Sequence, residues 1–301
     1  MFRCIPILIA LFTLAGTNAQ TQPQTVHDRS FWREVIAQKY QVPAGQATLP
    51  LAMELAGFIT STDPELRDRF GYEILANWIH RSGKLSISDF DALRRVFVPH
   101  GLVGIGESGT DSAFTRSFAL LNLKELAAAD LKTPYLTQAS FDDLFELAVK
   151  ALSTEKDLRG YVAGKGWAHA TAHGADLLRI LARNSKLSVS QQSRLVTVIS
   201  VRTQTAATIF AWGEDARLAA ALASVANRAD ANIMAFDIWF AALRGEHKQL
   251  WKGEFDTAAY VRVRTQVNTL SQLAALVARQ NNPAFPVKLR DALHATLAAL
   301  N

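Results

Sequence analysis

His169 and His173 stand four residues apart, and Asp176 follows three residues later. On a helix, positions i and i+4 lie about 6 Å apart along the axis, so both imidazoles can reach one divalent ion such as zinc. Metalloprotease helices carry a glutamate after the first histidine; here that place is Ala170. Asp176 sits about 10 Å along the axis from His169, too far to join the same ion easily from a single helix. A third ligand has to come from another element, with Asp111, Glu107, Glu214 and Asp215 nearest in motif terms. Asp176 is better placed, one turn beyond His173, to orient that imidazole. The trio is open to a metal site, to polar ligand binding or acid–base work, and to a purely structural network.

A helix over 166–183 places Trp167, Ala170, Gly174, Leu177, Leu178 and Leu181 on one broad apolar face. His169, His173 and Asp176 fall in a narrow stripe on the other side, which predicts that they lie off the main core face. Ile180 shares that stripe and argues for burial at its far end. Gly164-Lys165-Gly166 would open this helix with free backbone N–H groups. With Lys165 and Arg159 nearby, that is an anion site. The competing reading pairs Arg159 with Asp157, Asp111 or Glu107 as a tether.

Other motifs fail on context. Gly104, Gly106 and Gly109 match the spacing of a dinucleotide loop, but no strand precedes them. Ser108 lacks the final glycine of a nucleophile elbow and lacks a sheet to carry it. Gly160 to Lys165 is one residue short of a phosphate loop, and Gly166 stands where Ser or Thr is needed. The sole cysteine, Cys4, excludes disulfides, a thiol nucleophile and cysteine-ligated metal from the rest of the chain.

The elements that position these residues read as helices almost throughout. Apolar positions recur at three and four residues over 64–81, 88–96, 112–128, 140–152, 166–183, 188–203, 214–227, 233–244, 257–280 and 286–300. Asp63 and Pro64 start the first of these, and Ser88 and Ser188 cap others. No alternating run reads as a strand. Every second helix start falls about 50 residues further on, which predicts an all-α fold of stacked antiparallel helix pairs, a curved array of HEAT or armadillo kind. The expected domain spans 31–250, with C-terminal helices in 251–301 packed on it. Two glycine-rich loops, 99–110 and 155–165, stand apart in composition.

Residues 1–19 hold Arg3, an apolar run from Ile5 to Leu14 and small residues at Thr17 and Ala19. That order predicts a cleaved secretory leader, a polar lead-in over 20–30 and an exported protein, periplasmic or secreted. The apolar run is short of the roughly 20 residues a bilayer span needs, and no transmembrane segment is expected in the mature chain. The formal charge of +5 is spread among acids, with no basic block to suggest nucleic acid.

Leu158-Arg159-Gly160-Tyr161, Gly164-Lys165-Gly166-Trp167-Ala168-His169 and Ala172-His173-Gly174-Ala175-Asp176-Leu177-Leu178 resemble the signature of a bacterial family known as domain of unknown function 2785. Supporting segments are Pro64 to Asp68, Thr110 to Phe118 and Gly213 to Leu218. The resemblance runs roughly over 60–244. It implies a helical domain and no particular reaction. Residue by residue, the candidate cleft is Arg159, Lys165, His169, His173 and Asp176, with Asp111, Arg116, Glu214 and Asp215 completing its walls. A binding protein for a polar or anionic ligand, or for a component of the cell envelope, is the leading expectation. A metal-dependent hydrolase using His169 and His173 and a purely structural helical module are the alternatives.

Overall fold

The computed structural model describes residues 27–80, 84–280 and 285–300. The expected leader and most of the lead-in lie outside them. The described chain is all-α apart from one two-stranded hairpin.

Helix α1 (Arg29–Ala37) is capped by the Asp28 carboxylate, which accepts from the Phe31 N–H. Helix α2 (Thr48–Gly57) follows; neither was among the helices expected from the sequence. Glu65–Ile74 winds as a wide π-helix and continues into α3 (Leu75–His80). Its Gly71 lets α2 approach closely, since a Cβ there would meet the Leu55 carbonyl at 3.0 Å. The cap of helix α4 (Ile87–Phe97) lies two residues earlier than expected: Ser86, not Ser88, forms a reciprocal capping box with Asp89.

Then come α5 (Ser112–Lys132), α6 (Gln138–Thr154), β1 (Tyr161–Val162), β2 (Gly166–Trp167) and α7 (Ala170–Leu181). The chain ends with α8 (Val189–Gln204), α9 (Glu214–Ala226), α10 (Met234–Leu250), α11 (Thr257–Gln280) and α12 (Val287–Ala298). Ser188 and Gln191 cap α8 as the sequence predicts. No helix of the described residues is long and apolar enough to cross a membrane.

Helices alternate between two rows. In one, α5 packs on α7, α7 on α9 and α9 on α11; in the other, α6 packs on α8 and α8 on α10. Cross-contacts such as α6 with α7 and α10 with α11 join the rows. One apolar core runs from Trp32 in α1 to Leu300 beyond α12.

The central helices correct a sequence expectation. Every residue of α7 from Ala170 to Leu178 is buried, and α5 is buried on nearly all sides. Helix α7 has α5, α9 and α6 around it, so its histidine side is not a solvent stripe. Polar side chains there must find partners inside the protein.

Candidate functional site

The expected start of the histidine helix is a β-hairpin. Tyr161 pairs with Trp167 and Val162 with Gly166, and the Lys165 N–H donates to the Val162 carbonyl at 3.0 Å to close the turn. Gly164 and Gly166 have φ of +75° and +80°, which suits glycine in a tight hairpin. The segment 164–166 therefore closes a hairpin and does not open a helix, so the helix N-terminus expected to carry the anion is not formed there. The hairpin rests on the π-helix: buried Arg67 donates from Nη2 to the Lys165 carbonyl at 2.6 Å and lies over the Phe114 and Phe118 rings.

Around this hairpin several of the expected cleft residues are taken up in ion pairs. Arg116 is wholly buried and grips Glu155 through two hydrogen bonds of 2.6 and 2.7 Å. It also donates to the Gly104 and Glu107 carbonyls and to Ser112 Oγ, fixing the 99–110 loop. Asp157 accepts from the Gly109 N–H at 2.9 Å and from Arg159, which in turn donates to the Thr110 carbonyl at 2.6 Å. Lys165 meets Asp111 at 2.7 Å on the surface. Arg116, Arg159, Lys165 and Asp111 thus tie the two glycine loops together.

His169, His173 and Asp176 lie together on α7. His169 is the N-cap, with φ of 53°, a left-handed conformation costly for a residue with a Cβ. Its Nε2 donates to the Trp212 carbonyl at 2.9 Å. The His173 ring centroid lies 5.5 Å from that of His169. Asp176 does not orient His173 as expected; Ser117 on α5 does, with its Oγ 2.7 Å from His173 Nδ1. Burial pushes both imidazoles below their ordinary range, and for His173 the charges of His169, Arg217 and Lys124 push the same way. Both rings are neutral at neutral pH.

Asp176 is buried, and its Oδ2 accepts from Arg217 Nη1 at 2.8 Å. Its Oδ1, also buried, has no hydrogen-bond partner among the described residues. Glu214 is buried and accepts from the Trp212 N–H at 2.9 Å, which fixes the loop that His169 holds. Asp215 caps locally through the Ala216 N–H.

Sequence reasoning missed the neighbours that complete this region: Ser117, Arg217, Tyr72, His80, Lys124 and Glu125. Tyr72 donates to Glu125 Oε1 at 2.8 Å, and both His80 and Lys124 contact the same carboxylate. Burial alone would raise Glu125; the His80, Lys124 and Tyr72 contacts outweigh it and hold the carboxyl at about 2. Burial raises the Tyr72 phenol, assisted by Glu125 and Asp176. These partners sit on helices other than α7, so no spacing within α7 announces them. Ser117 and Arg217 fell within the segments that carry the family resemblance, but nothing in those segments marked them as partners of His173 and Asp176.

Among the described residues, no three histidines, cysteines, aspartates or glutamates come together as a metal-holding group. The Glu107 carboxylate, an expected third ligand, instead accepts hydrogen bonds from Thr110 and Ser112.

No curated protein and no solved structure matches the chain. A family model described as "Protein of unknown function (DUF2785)" matches residues 102–277. The match begins later than the motifs suggested and reaches into α11, and it contains the hairpin, both histidines, Asp176 and Arg217. It covers more than half of the chain, and the protein belongs to the DUF2785 family.

Proposed function

We propose that this protein is a ligand-binding module that takes a polar or anionic ligand on the row formed by α5, α7 and α9. We read the two helical rows as stacked pairs of the HEAT or armadillo kind, with the ligand over Asp176 and Arg217. The observation that carries this reading is the state of Asp176. One buried carboxylate oxygen has no donor, while the Arg217 side chain bonded to the other is half exposed. An unmade hydrogen bond to a buried acceptor costs on the order of 1–3 kcal/mol. A ligand bearing a donor beside an anionic or acceptor group satisfies Oδ1 and the remaining Arg217 N–H groups at once. The neutral His169 and His173 alongside add hydrogen-bonding capacity without repelling a cationic donor.

Mass spectrometry of gently purified protein tests this. The wild type should release a small polar compound on denaturation, and Arg217→Ala, at a half-exposed site, should release none. Equal recovery from both would sink the reading.

The same proposal places the protein outside the cytoplasm, on the strength of the sequence of residues 1–19. Intact mass of the envelope-fraction protein should correspond to a chain starting near Gln20. A full-length product confined to the cytosol overturns it.

A further inference from the structure

Beyond Asp176, α7 carries Arg179, and Arg183 follows in the turn just past the helix end. They line a groove of about 680 Å³ between the C-terminal ends of α7, α9 and α11, with Ser185, Ser224, Arg228 and Gln280 among its other walls. Alanines at 220 and 223 keep the α9 side open.

The charge in this groove is unbalanced. Asp230 is the one acid in the lining, and it is bound by Arg228 through Nε at 2.8 Å and Nη2 at 3.2 Å. Arg179 and Arg183 have neither an ion-pair partner nor a hydrogen-bond acceptor among the described residues, and the Arg179 Nε is buried without one. The neighbouring stretch 281–284 contains no acid either.

Cations favour a helix C-terminus, which accounts for arginines at the end of α7. It does not account for their unused donors. The Ala182 and Asn184 carbonyls at that end are taken by Arg228 Nη1 at 2.8 Å each, and the Leu187 carbonyl by Arg228 Nη2. Among the described residues, these two planar guanidinium forks are left with no oxygen to bind. A buried guanidinium N–H without an acceptor is unfavourable, and paired forks suit an oxyanion. Two uncompensated charges match a doubly charged phosphoryl group better than a single carboxylate.

We propose that this groove is an oxyanion site for a phosphate monoester or comparable phosphoryl group, held by Arg179 and Arg183. The proposal is independent of the ligand over Asp176. The phosphoryl group can arrive on a soluble compound or on a lipid headgroup, and the two sources separate experimentally.

Calorimetric titration with inorganic phosphate, inorganic pyrophosphate and glycerol phosphate probes the soluble source. Flotation with vesicles containing phosphatidic acid, whose headgroup is a phosphate monoester, against phosphatidylcholine vesicles, probes the lipid source. Saturable binding of at least one probe is expected. It should weaken tenfold or more in Arg183→Ala and in Arg179→Gln, remain unchanged in Arg217→Ala, and fall with added salt. Arg183 is exposed, so its variant decides the matter if Arg179→Gln does not fold. Absence of saturable binding to every probe overturns the proposal. So does binding that Arg183→Ala leaves intact, and binding that Arg217→Ala abolishes would move the anion to the Asp176 region instead.

Discussion

The Ser117 hydroxyl lies 2.7 Å from His173 Nδ1, and both groups are buried between α5 and α7. The contact joins two central helices through a ring that the protein keeps neutral. Protonation there would place a charge among Lys124, Arg217 and His169.

A pH dependence follows. In the unfolded chain His173 titrates near its ordinary value of about 6.5, and in the folded protein well below it. The unfolded state therefore binds the extra proton first as pH falls, and stability declines below about pH 6.5. His169, also lowered, adds to the slope. Asp68 opposes it, because burial raises its carboxyl to about 6 and the folded state takes up that proton. Urea unfolding at pH 7.5, 6.5 and 5.5 should show a net loss that His173→Gln makes shallower. Parallel curves for the two proteins would refute the assignment.

The two ion pairs near the hairpin should differ sharply. Glu155→Ala strands the buried Arg116 guanidinium and should cost about 3–5 kcal/mol. Lys165→Ala removes a surface pair with Asp111 and should cost no more than about 1 kcal/mol. Comparable losses by chemical denaturation would contradict this division.

Gly160→Ala should displace an aromatic ring. A Cβ at 160 would lie 2.2 Å from the Trp212 Cγ and Cδ2 atoms. Trp212 sits edge-on to Trp167 at 5.9 Å between centroids, so the substitution should alter the near-ultraviolet circular dichroism of that pair. The overpacking should cost about 1–3 kcal/mol. An unchanged aromatic spectrum would show that Trp212 does not occupy this position in solution.

The histidine pair should not hold zinc. With no third donor gathered beside it among the described residues, treatment with a chelator should leave the melting temperature unaltered, and His169→Ala should leave metal content unchanged. A stoichiometric metal lost in that variant would reverse the conclusion.

Helical boundaries were legible where local chemistry decides them. Thr257 and Gln280 bound α11 as the apolar spacing predicts, and the Ser188 box marks α8. The segment before His169 was not legible. Trp167-Ala168-His169 continues a helical pattern, but Arg67, 98 residues away in sequence, holds the Lys165 carbonyl and fixes a hairpin instead. Helical spacing did bring His169, His173 and Asp176 to one place. It gave no sign of Ser117 or Arg217, because pairing between helices depends on the register of α5 and α9 against α7. The same gap hid the burial of the histidine side: a pattern read on one helix assumes one neighbour, and α7 has several.

The row order α5, α7, α9, α11 also shapes how the molecule comes apart. Each helix leans mainly on the next, and α12 is held chiefly by α10 and α11. Loosening at the carboxyl end can then spread inward step by step while α5 and α7 stay shut. Amide exchange should show a gradient of protection along the chain, slowest at the middle, with the histidine region as the last part to open.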